Sequence, residues 1–215
     1  MPYASKDRQE FIKRSNLGPD ARILDFGGML SEELTGAVFG ITSKRPISNA
    51  VLIRPLLLPF KNSVFNAVIS YHYFDMVSSG KLDFIFEETA RVLEKDANFS
   101  FMIMNWTANN EEQKANLLFN EVLKSIGALY QHDFEGISMK LNKAGFTEIT
   151  VESIKRDIAV PHEFVDEHLL MLGNLVKIEK TQGREGLKAL AKQYFHKVKE
   201  HGETMLSAIH FIAKK

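Results

Sequence analysis

The chain has 215 residues, 45% hydrophobic and 25% charged, with Lys+Arg and Asp+Glu both at 27. That balance is typical of a globular protein and gives no electrostatic case for a nucleic-acid partner or an acidic surface. The lack of cysteine excludes disulfides, thiolate catalysis and Cys-based metal sites, and fits a cytoplasmic protein.

One domain is expected at this length. The N-terminus, MPYASKDRQEF, has no apolar core for a signal peptide. The most apolar stretch, Val51 to Phe60, contains Arg54 and two prolines and is too short to span a bilayer. Ser5 to Asn16 reads as a helix stopped by Leu17-Gly18-Pro19. Ala21 to Leu30 (ARILDFGGML) reads as a buried strand ending at Gly27-Gly28, followed by a helix start at Ser31-Glu32-Glu33. A strand, a glycine turn and a helix N-terminus together form a common nucleotide-binding device. Ala37 to Ile41 and Asn49 to Arg54 read as strands two and three. Only Thr42 to Ser48 separate them, so the usual crossover helix is shortened to a loop.

Phe65 to Tyr71 (FNAVISY) is strand four. Ser79 to Asp96 has the periodicity of a helix through Leu82, Ile85, Phe86, Ala90 and Leu93. Asn98 to Met104 is strand five. A second long helix runs from Asn110 to Tyr130, with Ala115, Leu118, Val122, Ile126 and Leu129 as its apolar line. Glu135 to Ala144 is a short helix, Thr147 to Ile154 a half-exposed strand, and Ser207 to Ala213 the last strand. Two further helices lie between, marked by Val165, Leu169, Leu172 and Val176, and by Leu187, Leu190, Ala191, Tyr194 and Val198. Phe134, Phe146, Phe164, Tyr194 and Phe195 read most simply as core. The expected parts are an N-terminal helix (1–20), a core (21–155), a helical insert or lid (156–206) and a closing strand (207–215).

Alternating strands and helices indicate an α/β, doubly wound, mostly parallel sheet of about seven strands. In such sheets ligands sit outside the carboxyl ends of the strands, at the switch point. That directs attention to Asp25–Met29, Thr42–Arg45, Arg54–Leu57, Ser70–Asp75 and Met104–Trp106.

Four ordered segments resemble the class I methyltransferases that use S-adenosyl-L-methionine (SAM), of the type 11, ubiquinone/menaquinone-biosynthesis-like kind. ILDFGG is similar to the start of that family's glycine loop. LPFKNSVFNAVIS is similar to its Leu-Pro-Phe segment leading into strand four. ETARVLEKDANFSFMI is similar to its Glu-x-x-Arg-Val-Leu entry to strand five, and LNKAGFTEITVES to its Ala-Gly-Phe entry to strand six. The resemblance covers roughly 20–155. It implies a Rossmann-like sheet with an antiparallel last strand, SAM as cofactor and a small-molecule acceptor as partner. It places Asp25, Gly27, Gly28, Thr42, Arg54 and Ser70 at cofactor positions, and Tyr71 and His72 beside the transferred methyl.

The cofactor motif is degenerate. Met29 stands where the family has a glycine. Thr42 stands where it has a ribose-binding acid, and Arg54 where an Asp meets the adenine amine. Residues 34–74 contain no Asp or Glu, but do contain Lys44, Arg45, Arg54 and Lys61. His72 is a candidate general base, since an imidazole titrates near neutrality. Asn105-Trp106 reads equally as a pocket floor or as a loop anchor. His162 with His168, and His196 with His201, do not share a helical face, so no metal site is expected. Three readings stay open: a working SAM methyltransferase, a fold-retaining binding or partner subunit, and a protein in which Lys44, Arg45 and Arg54 take a phosphorylated ligand. No nucleic-acid or membrane partner is expected, and a homodimer is left open.

Overall fold

The computed structural model describes residues 2–30, 33–34, 37–42, 50–52, 57–178 and 184–215. Among the described residues seven strands form one sheet: β1 (Arg22–Phe26), β2 (Ala37–Thr42), β3 (Ala50–Leu52), β4 (Phe65–Tyr71), β5 (Leu93–Met104), β6 (Thr147–Ile154) and β7 (Ala208–Lys214). Their order is β3-β2-β1-β4-β5-β7-β6, and β1 through β5 pair in parallel. Strand β7 runs the other way: Lys215 bonds across to Asp96 and Ala97 while Phe211 stacks on Phe101 at 4.8 Å. This is the expected doubly wound sheet with an antiparallel last strand.

The helices are α1 (Ser5–Arg14), α2 (Ser79–Val92), α3 (Glu111–Ser125), α4 (Phe134–Lys143), α5 (His162–Ile178) and α6 (Arg184–His201). The chain divides into two compact units. One comprises Ala4–Ile103, His132–Glu152 and Ile209–Lys215; it holds the sheet with α1, α2 and α4. The other comprises Met1–Tyr3, Met104–Gln131 and Ser153–Ala208 and holds α3, α5 and α6.

The two faces of the sheet differ because side chains alternate along a strand. One face carries Leu24, Phe26, Val68, Phe99, Phe101 and Phe211 into an apolar cluster with Phe74 and Phe86. The other carries polar groups under α1. There Ser15 Oγ, Ser100 Oγ and His210 Nε2 form a buried chain at 2.7 and 2.8 Å, and Tyr71 donates to Asp7 at 2.5 Å. Phe11 of α1 packs on Tyr71 and His210.

Two segments behind the family resemblance brace each other. The Arg91 guanidinium donates to the carbonyls of Leu58 and Phe60, while Glu88 accepts from the Leu58 N–H. The pair holds Glu88 below its usual range and Arg91 above it, each chiefly through their mutual hydrogen bond. Their role in the fold is to fix the turn that feeds β4.

The second unit is organised on Glu203, whose side chain is fully buried. It accepts from Tyr194 Oη at 2.6 Å, Asn116 Nδ2 at 2.6 Å and His168 Nδ1 at 3.1 Å. Burial, then the Glu203 charge, pushes the Tyr194 phenol far up. The same two causes push Tyr3 up to about 12.

Three expectations are corrected. The helix expected to Asp96 stops at Val92, because Leu93 already pairs with Phe65 and opens β5. The second long helix ends at Ser125 rather than Tyr130. Its buried stripe is Gln113, Ala115, Asn116, Phe119, Asn120 and Val122, with Ile126 exposed. Polar residues occupy that stripe because Gln113 and Asn116 bond to the Met205 carbonyl and Glu203. Phe195 is not core: it is 46% exposed on α6.

Candidate functional site

Strand β1 is flanked by β2 on one side and β4 on the other, so the chain reverses direction in the sheet at its carboxyl end. That is the switch point where a crevice opens. Phe26 pairs with Ser70, which sets the turn after β1 beside the turn after β4. Gly27 and Gly28 have φ of +94° and +64°, a conformation that costs an L side chain about 1–2 kcal/mol. A Cβ on Gly27 would lie 3.4 Å from Tyr73 and 3.8 Å from Met29, so both side chains line this turn. Met29 is 38% exposed, and its Cγ lies beside Gly27.

Asp25 is fully buried at the end of β1. Its Oδ2 accepts from the Leu30 N–H at 2.8 Å, closing the loop. Its Oδ1 has no partner. Burial pushes this carboxyl up to about 7, with the Leu30 bond pulling the other way. Ser70 Oγ is also buried without a partner. Burial raises Tyr73 as well.

After β4 the chain turns at His72, whose φ is +59°. Histidine tolerates the left-handed region better than most residues, yet the conformation still costs energy and draws attention at a strand end. The turn continues into Phe74–Met76, where buried Phe74 anchors the segment against Phe26, Phe86 and Phe101. That anchoring swings Asp75 back to His72. Its Oδ2 lies 2.5 Å from His72 Nδ1, and their side chains are only 3% and 11% exposed.

The structure thus brings Asp25, Gly27, Gly28, Ser70 and His72 to two neighbouring strand ends. Tyr71 differs from expectation. It is fully buried, and its hydroxyl points to Asp7 under α1, because alternation along β4 puts position 71 on the α1 face of the sheet. Thr42 closes β2, but its side chain lies outside the described residues, as do Lys44, Arg45 and Arg54. Trp106, in the other unit, carries Lys124 over its ring at 4.9 Å, an anchor for α3. Asp7 was not singled out by sequence reasoning, and Asp75 entered only as the end of the stretch Ser70–Asp75, with no role given to it. Asp75 lies three residues from His72, a spacing that a 3₁₀ turn makes adjacent. Asp7 has no such signal, being 64 residues from Tyr71. Among the described residues no group of three His, Asp or Glu is placed to hold a metal, and no helix is long and apolar enough to cross a membrane.

No family model matches the chain, and no curated protein matches it by sequence. Solved structures do match. A cyclopropane-fatty-acyl-phospholipid synthase-like protein from Lactobacillus casei is similar over 99% of this chain and 91% of its own, with a TM-score of 0.76 and 15% identity. Phosphoethanolamine N-methyltransferase 2 from Haemonchus contortus, solved with SAM, is similar over 98% of this chain, with a TM-score of 0.59 and 16% identity. This chain spans only 52% of that enzyme's length. The [4+2]-cyclase SpnF is similar over 99% of this chain and 80% of its own, with a TM-score of 0.62 and 15% identity. The chain has the class I methyltransferase fold. At such identities the likeness establishes that fold, and the chemistry must be argued from the site.

The described residues fit the amino-acid end of SAM. Asp25 presents an unpartnered carboxylate oxygen, and Gly27-Gly28 presents a backbone turn at the switch point.

Proposed function

We propose that this chain is a SAM-dependent methyltransferase of the type 11 kind, acting on a small-molecule acceptor. The observation that carries the reading is Asp25: a buried carboxylate with one oxygen unpartnered, directly before a left-handed glycine turn at the switch point of the sheet. Such an atom costs free energy unless a ligand donor satisfies it. Asp25, Gly27, Gly28 and Ser70 would hold the amino-acid end, and Thr42 and Arg54 the adenosine end. When bound, SAM supplies an electrophilic methyl on a sulfonium. Asp75 holds His72 Nδ1–H and so sets the tautomer whose Nε2 is the proton acceptor. His72 takes the proton that an acceptor hydroxyl or amine gives up. Tyr71 supports the turn from beneath rather than facing the acceptor.

A second reading is favoured by Met29, which lies beside Gly27, and by the acid-free span 34–74. It makes the chain a fold-retaining binding subunit or a site for a phosphorylated nucleotide. Calorimetric titration with SAM and S-adenosylhomocysteine separates the two. Micromolar binding that strengthens from pH 6 to pH 8, as Asp25 ionises, is the expected result. No binding up to millimolar SAM overturns the methyltransferase reading, and a thermal-shift screen of phosphorylated nucleotides then divides what is left.

A further inference from the structure

Helices α5 and α6 line an open groove of about 550 Å³ on the second unit. Its floor and walls are Leu169, Leu172, Val176, Ala191 and Phe195. Leu172 is 3% exposed and lies deep, whereas Phe195 is 46% exposed at the rim. Gly173 leaves a notch, since a Cβ there would meet nothing within 4 Å. Lys177, Lys188 and Lys192 line the groove, and no acid does among the described residues. Glu185 pairs with Lys188 at 2.8 Å from outside the lining.

Lys192 lies midway along α6, one turn before Phe195. Lys177 closes the C-terminal end of α5, and Lys188 lies in the N-terminal half of α6. Leu169 and Phe195 mark the opposite end. An apolar trough lined by three lysines, and by no acid among the described residues, matches a molecule with an apolar body and an anionic head. The groove size falls within the ordinary range for small-ligand sites. A second copy of this chain is a poor occupant, because the same face would bring no acid to the lysines among the described residues.

We propose that the α5–α6 groove binds a single long-chain fatty acid, with its hydrocarbon along Leu169–Val176 and its carboxylate at Lys177, Lys188 and Lys192. The test titrates the full chain with cis-parinaric acid, whose emission rises on entering an apolar site. Oleate and the neutral oleyl alcohol serve as competitors. Saturable binding of one equivalent is expected, with oleate displacing the probe about tenfold more effectively than oleyl alcohol. Gly173→Leu should fill the notch and abolish binding while leaving the melting temperature unchanged or raised, since leucine is a better helix former than glycine. The double variant Lys177→Glu/Lys192→Glu should weaken binding about tenfold or more. Unchanged binding in both variants overturns the proposal, because the probe then sits elsewhere. So does the absence of saturable binding. Two further outcomes also overturn it: co-sedimentation with phosphatidylglycerol vesicles without binding of the monomeric acid, and a dimer that Gly173→Leu dissolves without any effect on the probe.

Discussion

Asp25 and His210 are both buried on the sheet unit, and their protons move in opposite senses. Asp25 has its usual value of 3.8 when unfolded and about 7 when folded, so the folded state holds a proton that the unfolded state has released. Its contribution to stability therefore falls as pH rises from about 4 to about 7. His210 is pushed from 6.5 down to about 4, mainly by burial, so its contribution rises with pH over about 4 to 6.5. The two slopes nearly cancel up to about pH 6.5, above which only the loss from Asp25 remains. Asp25→Asn keeps a carbonyl for the Leu30 N–H and cannot ionise. Urea unfolding at pH 8 should show it more stable than wild type by roughly 2–4 kcal/mol. Below pH 6.5 the variant should gain stability with rising pH where wild type is nearly flat. Identical pH profiles would refute the assignment. At the same scale, His72→Gln should lower kcat by about 10²–10⁴ with SAM affinity unchanged. Equal loss of affinity would mean that His72 only shapes the turn.

At the scale of elements, the apolar face of the sheet is held by aromatic side chains on adjacent strands. Phe101 stacks on Phe211 and touches Phe74, Phe86 and Phe99. Phe101→Ala should cost about 3–5 kcal/mol in chemical denaturation, the usual penalty for emptying a buried aromatic site. The two central strands of this face were legible in the sequence: FNAVISY is an apolar run and NFSFMIM a short apolar segment, and both are strands with nearly continuous burial. The end of α2 was not legible. Periodicity carries helix through Leu93, and only the pairing of Leu93 with Phe65, which are distant in sequence, makes it strand. The polar stripe of α3 was hidden for a related reason. Asn116 and Asn120 lie off the expected apolar line, and the burial of Asn116 follows from Glu203, 87 residues later, which accepts from it.

At the scale of the molecule, the last strand is not the outermost one. Strand β7 lies between β5 and β6, so the sheet is incomplete until residues 208–214 are in place. Deleting 208–215 leaves β5 and β6 with unpaired backbone groups and removes Phe211 and Ala213 from the core. Such a variant should show no cooperative thermal transition by circular dichroism. A transition matching that of the full chain would show that the remaining strands close the sheet alone. Pairings this far apart in sequence also predict slow folding.

The residue order alone determined the class of fold, the strand that ends in glycine, the short connection between strands two and three, and the switch point to inspect. These follow from local periodicity, glycine conformational freedom and connection length, which need no knowledge of distant residues. Only the tertiary structure decided that Tyr71 serves α1 while His72 meets Asp75, that Asp25 keeps an unpartnered oxygen, that Glu203 gathers three helices' donors, and that Phe195 opens onto a groove. Each of those depends on which groups from remote parts of the chain arrive within hydrogen-bonding or van der Waals reach, and burial then sets their protonation and cost.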